Sequence, residues 1–489
     1  MRALVIGGGM AGLCAAANLV DHDIEVQLVE ATQLLGGRAS SWKDDDGDTI
    51  DNALHVFFPH YVNCLGFMDK VGTDPLRWTR GMRIYDEAGR RGDLPMGGGF
   101  ADMLRAFNFS TMSLLDQASI SGAVLAASLL SDKQLDKADE KTLLEWFKLH
   151  GMTRTAIDHF RPFGAGLTFL ELNQVSAKTL IYWIRSVQCK EMFARPGIGF
   201  ANGGLGEIYV DKAREYIEKA GGKITLGRRA RSIAVERNRV TGMVMDDGDT
   251  VEADAYVSAL PYYGLRGILP ESSLDYKFFQ HLWRLDDAPS VSVQIWFDRF
   301  VTEMEYIAAQ MRGIFNCFAD LHTIVPRFAE EAEGSMVEFV LTPAFHLMSL
   351  PDEFIFRTTL EEFERITPAA RQTRVEKWAV VKERQGVFAQ RPGMDRYRPS
   401  QRTPYLNLYL CGDYTRTFIS AGMENACASA SLAVGSILED RLGLRETLFS
   451  KPVYFTPYIR SGLAAAAGAA LSCAAFRSLR ERLKGKDRA

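Results

Sequence analysis

The chain has 489 residues, 47% hydrophobic and 24% charged, a normal globular balance whose length implies two or three structural regions. A net charge of −4 argues against a nucleic-acid partner. Seven scattered cysteines, with no CxxC and no Cys/His cluster, argue against a disulfide framework or a metal site.

Ala3-Leu4-Val5-Ile6 is a short buried-strand run. It is too short for the apolar region of a signal peptide, and glycines follow at once, so the expected location is cytoplasmic. Gly7, Gly9 and Gly12 then fit G-x-G-x-x-G. Gly7 allows the sharp turn, Gly9 lets the backbone approach a pyrophosphate, and Gly12 lets the next helix pack closely on the strand. That helix aims its free N–H groups and positive dipole end at the phosphates. Glu25 to Val29 alternates as a second strand. Glu30 closes it, 18 residues past Gly12, where a carboxylate accepts ribose hydroxyls and repels a 2′-phosphate. The expected fold class is α/β, with a Rossmann-like dinucleotide-binding domain.

Gly36-Gly37-Arg38 follows at a short interval. Two glycines let the chain turn back over a nucleotide, and Arg38 supplies a fixed positive charge near its pyrophosphate. This stretch resembles the extended fingerprint of the FAD-binding amine oxidase and carotenoid desaturase superfamily. No second glycine fingerprint lies on a strand–helix boundary, which argues against a separate nicotinamide domain. Asp51-Asn52-Ala53-Leu54-His55, then Val56-Phe57-Phe58, resembles the Glu-Thr-Gly-Leu-His core of the plant- and cyanobacterial-type phytoene and ζ-carotene desaturases. The near-related hydroxysqualene dehydroxylases carry an Asp-Asn variant. The resemblance recurs in 202–261, 291–300 and 409–438 and covers most of 1–445.

The resemblance implies FAD as cofactor and a glutathione reductase/amine oxidase-type FAD domain with a mixed α+β substrate domain. Carried over position by position, it sets Gly7, Gly9, Ala11 and Gly12 at the pyrophosphate and Glu30 with Ala31 at the adenosine ribose. Gly37, Arg38, His55, Val56 and Tyr61 would line the flavin cleft, and Ala230 would meet the adenine through its backbone. Asp413 would hold the ribityl chain, and Met423 would bring an amide and a helix end to the pyrimidine edge of the flavin. Arg185 is the expected polar residue of catalysis and substrate binding, with Ala421 beside the substrate and Glu424 as the next candidate. Core packing equally suits His55 and Met423, and a helix surface equally suits Arg185.

The FAD-binding domain is expected from 1–95, 200–265 and 400–445. The substrate-binding, membrane-facing region is expected from 96–199 and 266–399, with a tail at 446–489. Gly97 to Leu130 is unusually apolar and suits a helical pair that packs in the core or dips into one leaflet. The tail from Ser461 is alanine-rich and then basic, suited to an anionic interface or to packing on the body. Aromatic and aliphatic side chains in 160–187 and 278–318 suit an apolar tunnel and equally suit plain core.

The expected reaction is FAD-dependent desaturation of a polyisoprenoid lipid such as phytoene or ζ-carotene by hydride transfer to flavin. A quinone or oxygen would be the acceptor, and the enzyme would sit peripherally, as a monotopic protein, on a membrane surface. Hydroxysqualene dehydroxylation, a soluble flavin amine oxidase and a non-catalytic flavoprotein stay open as alternatives.

Overall fold

The computed structural model describes residues 1–73, 76–95, 112–186, 188–195, 197–330, 332–418 and 420–452. Strand Arg2–Ile6 is buried from its second residue onward, as its aliphatic run requires. It pairs in parallel with Glu25–Val29 on one side and Ala255–Ser258 on the other. Lys223–Thr225 and Leu408–Leu410 complete a five-stranded, all-parallel sheet. A parallel sheet must be covered on both faces, and the side-chain period of two divides the coverage. Ala3 and Val5 pack under the helices Met10–Val20 and Met423–Ile437. Leu4 and Ile6 pack on the opposite side, against the small sheet of 230–251 and helix Tyr262–Ile268. A turn at 246–248 closes one hairpin of that small sheet, with Gly248 at φ 89°.

A seven-stranded mixed sheet forms the second unit. Its order is Val375–Phe388, Asp287–Phe297, Met336–Leu341, Cys317–Asp320, Ala308–Gln310, Gly81–Tyr85, Arg91–Pro95. All neighbours are antiparallel except Ala308–Gln310 and Gly81–Tyr85. Phe297, Phe315, Phe318, Phe339 and Phe363 fill the core on one face, beneath helix Asp352–Ile366. Helices Leu114–Leu129, Arg154–Thr168 and Ala177–Ser186 contribute to the core on the other. The aromatics of 278–318 are therefore divided. Phe315 and Phe318 serve the far-face core and Phe279 lies under the parallel sheet, none of them in a tunnel.

The hairpin Ser41–Lys43/Thr49–Asp51 is pinned to the second sheet by Lys377. Its ammonium contacts Asp44, lies 2.9 Å from Asp46 and 2.6 Å from Asp48, and sits over the Trp296 ring. Of the apolar stretch 97–130, residues up to 111 lie outside the described ones. The rest begins at Ser113, whose side chain and Asp116 form a reciprocal cap on helix Leu114–Leu129. That helix turns by 120° into Asp132–Ala138, and no single described helix is long and apolar enough to cross a membrane. The tail beyond 452 also lies outside the described residues.

The fingerprint helix can lie where it does only because Gly12 has no side chain. A Cβ there would stand 1.9 Å from the Gly7 carbonyl oxygen and 3.2 Å from Ala259 Cβ. Gly12→Ala must shift backbone against backbone, so it should cost more than about 3 kcal/mol. Thermal denaturation should show a fall in Tm of several degrees together with loss of FAD from the purified protein.

Candidate active site

Four of the five strand ends open on one place. Gly7, Glu30, Ala259 and Gly412 each follow a parallel strand, and all border one cavity of about 1270 Å³. The carboxyl edge of a parallel sheet is where such folds bind ligands. Single-ligand pockets span roughly 300–1000 Å³, so this cavity has room for a second molecule beside a first.

Its sheet end is built for a dinucleotide. Gly9 bridges to Gly36, and the Gly36 N–H donates to Gly8 O at 2.9 Å, so the two glycine turns lie backbone to backbone. A Cβ on Gly37 would be 3.2 Å from Gly9 Cα. Glu30 locks the loop by accepting from Gly8 N at 2.8 Å and Thr32 N at 2.9 Å. Helix Met10–Val20 has no side-chain cap, and Gly9, Met10 and Ala11 at its start border the cavity. Helix Met423–Ile437 is likewise uncapped, with Gly422 at φ 112° and Met423 on the cavity wall. Two open helix N-termini facing one cavity are sites for negative charge.

Arg38 and Asp413, 375 residues apart, form an ion pair at 2.6 Å on the same wall. Burial works against the Arg38 charge, but the Asp413 carboxylate outweighs it and holds the guanidinium proton tighter than usual. His55 borders the cavity, and burial pushes it down to about 4. Its Nδ1 lies 2.6 Å from Ala53 O. A carbonyl only accepts, so Nδ1 carries the proton and Nε2 the lone pair.

The other end of the cavity is an apolar arm. Met82, Ile84, Leu94, Met112, Ile120 and Val124 form one side, with Phe160, Phe163, Leu180, Trp183, Ile184, Ile307 and Val340 opposite. His159, its Nδ1 donating to Thr155 O, is the one Asp, Glu, Lys, Arg or His among the described residues of this arm.

Gly7, Gly9, Ala11, Glu30, Ala31, Gly37, Arg38, His55, Val56, Tyr61, Asp413, Ala421 and Met423 all border the cavity. Gly12, Ala230 and Arg185 do not. Gly12 acts through packing, and Ala230 begins a strand paired with Met245 beside the lining residue Arg229. Arg185 differs from its expected place in the cleft. On helix Ala177–Ser186 the cavity-facing positions are 180, 183 and 184, and position 185 is turned about 100° away from 184. Its guanidinium reaches Asp132 instead, at 3.5 Å. Glu424 lies outside the lining too. It accepts from Asn63 N, Cys64 N and Asn63 Nδ2, so it caps helix Val62–Lys70 from a distance, and burial pushes it up to about 7.

These features define a flavin-binding oxidoreductase. Residues 10–438 match the family of flavin containing amine oxidoreductases, and the chain belongs to that family and, within it, to the carotenoid desaturases. It is 30% identical to a ζ-carotene desaturase of Synechocystis sp. across 92% of this chain and 100% of that protein. It is 27% identical to a 15-cis-phytoene desaturase of Synechococcus elongatus, across 93% and 99%. In fold it is similar to an oxidoreductase from Methanosarcina mazei, at TM-score 0.69, 19% identity and coverage of 90% and 100%. A putrescine oxidase aligns at TM-score 0.67, 13% identity and coverage of 90% and 99%. The chain is an FAD-dependent oxidoreductase, and the uncapped helix ends and glycine turns fit that cofactor.

Several lining residues escaped the sequence reading. Tyr263, Ser290, Glu383 and Gly386 lie outside every motif read from the sequence, on a helix and two paired strands. A buried acid cluster behind the wall escaped it too. Glu338 accepts from Ser292 Oγ at 2.8 Å, while Glu338 Oε2, Asp51 Oδ1 and Gln294 Oε1 are buried without a donor. Burial raises both carboxyls. Asp51 adds to the rise at Glu338, and Glu207 to the rise at Asp51. A carboxyl that holds its proton more tightly when folded lends stability at low pH and loses it as pH rises through the folded-state value. Glu338→Gln removes the charge and offers an amide to orphaned acceptors. Its Tm should gain on wild type as pH rises from about 6 to about 9, measured by differential scanning fluorimetry of the FAD-loaded proteins.

Proposed function

We propose that the chain desaturates a carotenoid or a closely related polyisoprenoid hydrocarbon such as phytoene or ζ-carotene. The observation that carries this reading is the apolar arm joined to the dinucleotide end in a single cavity. A hydrocarbon chain has no carboxylate or phosphate to grip, and the arm offers almost no charge to grip one. Both desaturase relatives span nearly the whole chain, which supports the same substrate class.

In this reading 1–80, 200–265 and 400–445 form the nucleotide-binding unit, and 112–199 with 266–399 the substrate unit, which also takes strands Gly81–Tyr85 and Arg91–Pro95 that the sequence reading had set in the first. The open start of helix Met10–Val20 and Arg38 hold the pyrophosphate, Glu30 the ribose, and Asp413 the ribityl chain. Bound there, FAD supplies the hydride acceptor. The apolar arm lays the substrate chain against it and excludes water.

A quinone would take the electrons onward, and the enzyme sits peripherally on a membrane from which substrate and quinone both arrive. Leu125 supports this: it borders the cavity and is 45% exposed. Leu114 and Leu115, on the same helix, are 83% and 71% exposed. Exposed leucines along one helix, one of them bordering the cavity, suit an apolar surface.

Anaerobic visible spectroscopy tests the reaction. Addition of phytoene or ζ-carotene should bleach the flavin band, and a quinone should restore it; bleaching by a polyamine alone sinks the carotene reading. Arg38→Met should retain FAD at least about 10-fold less tightly, as expected when one partner of a partly buried charge pair is removed. Leu114→Asp with Leu115→Asp should reduce flotation with liposomes at high salt while leaving FAD content intact, and unchanged flotation contradicts the membrane seat.

A further inference from the structure

Where the dinucleotide end meets the apolar arm, four rings converge. Phe58, Tyr61 and Trp183 border the cavity, and His60 stands behind them. The ring centre of Trp183 is 4.8 Å from Phe58, 4.9 Å from His60 and 6.0 Å from Tyr61, at interplanar angles of 61–85°. The indole is thus clamped edge-to-face by three neighbours. Tyr61 packs against both the nucleotide core, with Met423, and the substrate core, with Trp183. His60 is 1% exposed, and neither of its ring nitrogens has a hydrogen-bond partner. A buried imidazole without a partner is unfavourable and asks for a compensating role.

We propose that Phe58, Tyr61 and Trp183 form a cation-stabilising wall for the positive charge that hydride removal leaves on the substrate chain, with His60 as the residue that positions the indole. This rests on the desaturation reading above. In that reaction one C–H bond breaks with its electron pair leaving as hydride to the flavin. The carbon left behind is an allylic cation. The neighbouring C–H then gives its proton to a single water molecule admitted from the open end of the cavity, beside Leu125, and its electron pair becomes the new π bond. Between those two events the arm must tolerate a positive charge. A carboxylate would trap it, and the cavity's carboxylates, Glu30, Glu383 and Asp413, belong to other parts of the wall near the glycine turns and Arg38. Ring faces attract a cation without bonding to it, most strongly where water is excluded. His60 is held neutral by burial, so it sets no opposing charge behind the wall.

The test is anaerobic single-turnover bleaching of the FAD-loaded enzyme by ζ-carotene or phytoene. Trp183→Leu should bleach about 30-fold more slowly, the factor equivalent to ~2 kcal/mol of lost cation–π attraction. Its FAD content should be intact and its half-saturating carotene concentration within about 3-fold of wild type. Trp183→Phe should lose only a few-fold. Site-specific mono-, di- and trifluorotryptophan at position 183 keep the shape while weakening the ring face, so the rate should fall stepwise along that series. This arm decides the matter should the leucine variant not fold. For His60, Phe should restore what Ala loses, because only the clamping ring is required. A flat fluorotryptophan series, or a Trp183→Leu change confined to half-saturation, overturns the wall and leaves the desaturase standing. A wild-type flavin that no carotene bleaches overturns the desaturase reading and the wall with it.

Discussion

Backbone must pass backbone where the Gly8–Gly9 turn meets Gly36–Gly37, and the site is arranged around that contact. Side chains at Gly12 or Gly37 would separate pieces that now touch. With them close, Glu30 can reach back to the Gly8 amide, and the helix that follows presents its open end to the cavity. Arg38, carried on the second turn, is brought within an ion pair of Asp413 from the far end of the chain. Three distant stretches of sequence thereby close one wall.

That wall meets a different chemistry without a partition. The parallel sheet brings dipole ends, an arginine and carboxylates, whereas the second sheet and its helices bring aliphatic and aromatic side chains. A polar cofactor and an apolar substrate have little affinity for each other's surroundings. The boundary between the two cores therefore sets where each can lie, and Tyr61 stands on it.

Legibility in the sequence followed the range of the interactions. The glycine fingerprint, Glu30 and the Gly36-Gly37-Arg38 turn are local, because backbone conformation and strand ends leave a fixed spacing. The parallel sheet and its flanking helices were readable for the same reason. Arg185 was misplaced because spacing does not reveal which side of a helix faces a cavity until its neighbours are known. The aromatic content of 278–318 could not be divided between tunnel and core for a related reason: strand alternation sends Phe297 and Phe318 to the opposite face of the sheet, and Phe315, just ahead of its strand, joins them in that core. The buried Asp51, Gln294 and Glu338 are 44 to 287 positions apart in the sequence; strand pairing sets Gln294 opposite Glu338, and the Gln294 amide donates to the Asp51 carbonyl. No motif could announce them.

The acidic loop at Asp44, Asp46 and Asp48 looks, by composition, like a place for calcium. Its counter-ion is instead a lysine on a covalently continuous strand. A divalent ion would have to expel an ammonium that cannot diffuse away and that also rests on an indole ring. The hairpin is fastened by a cation the chain carries with it, so this join between the two units is indifferent to the divalent-ion content of its surroundings.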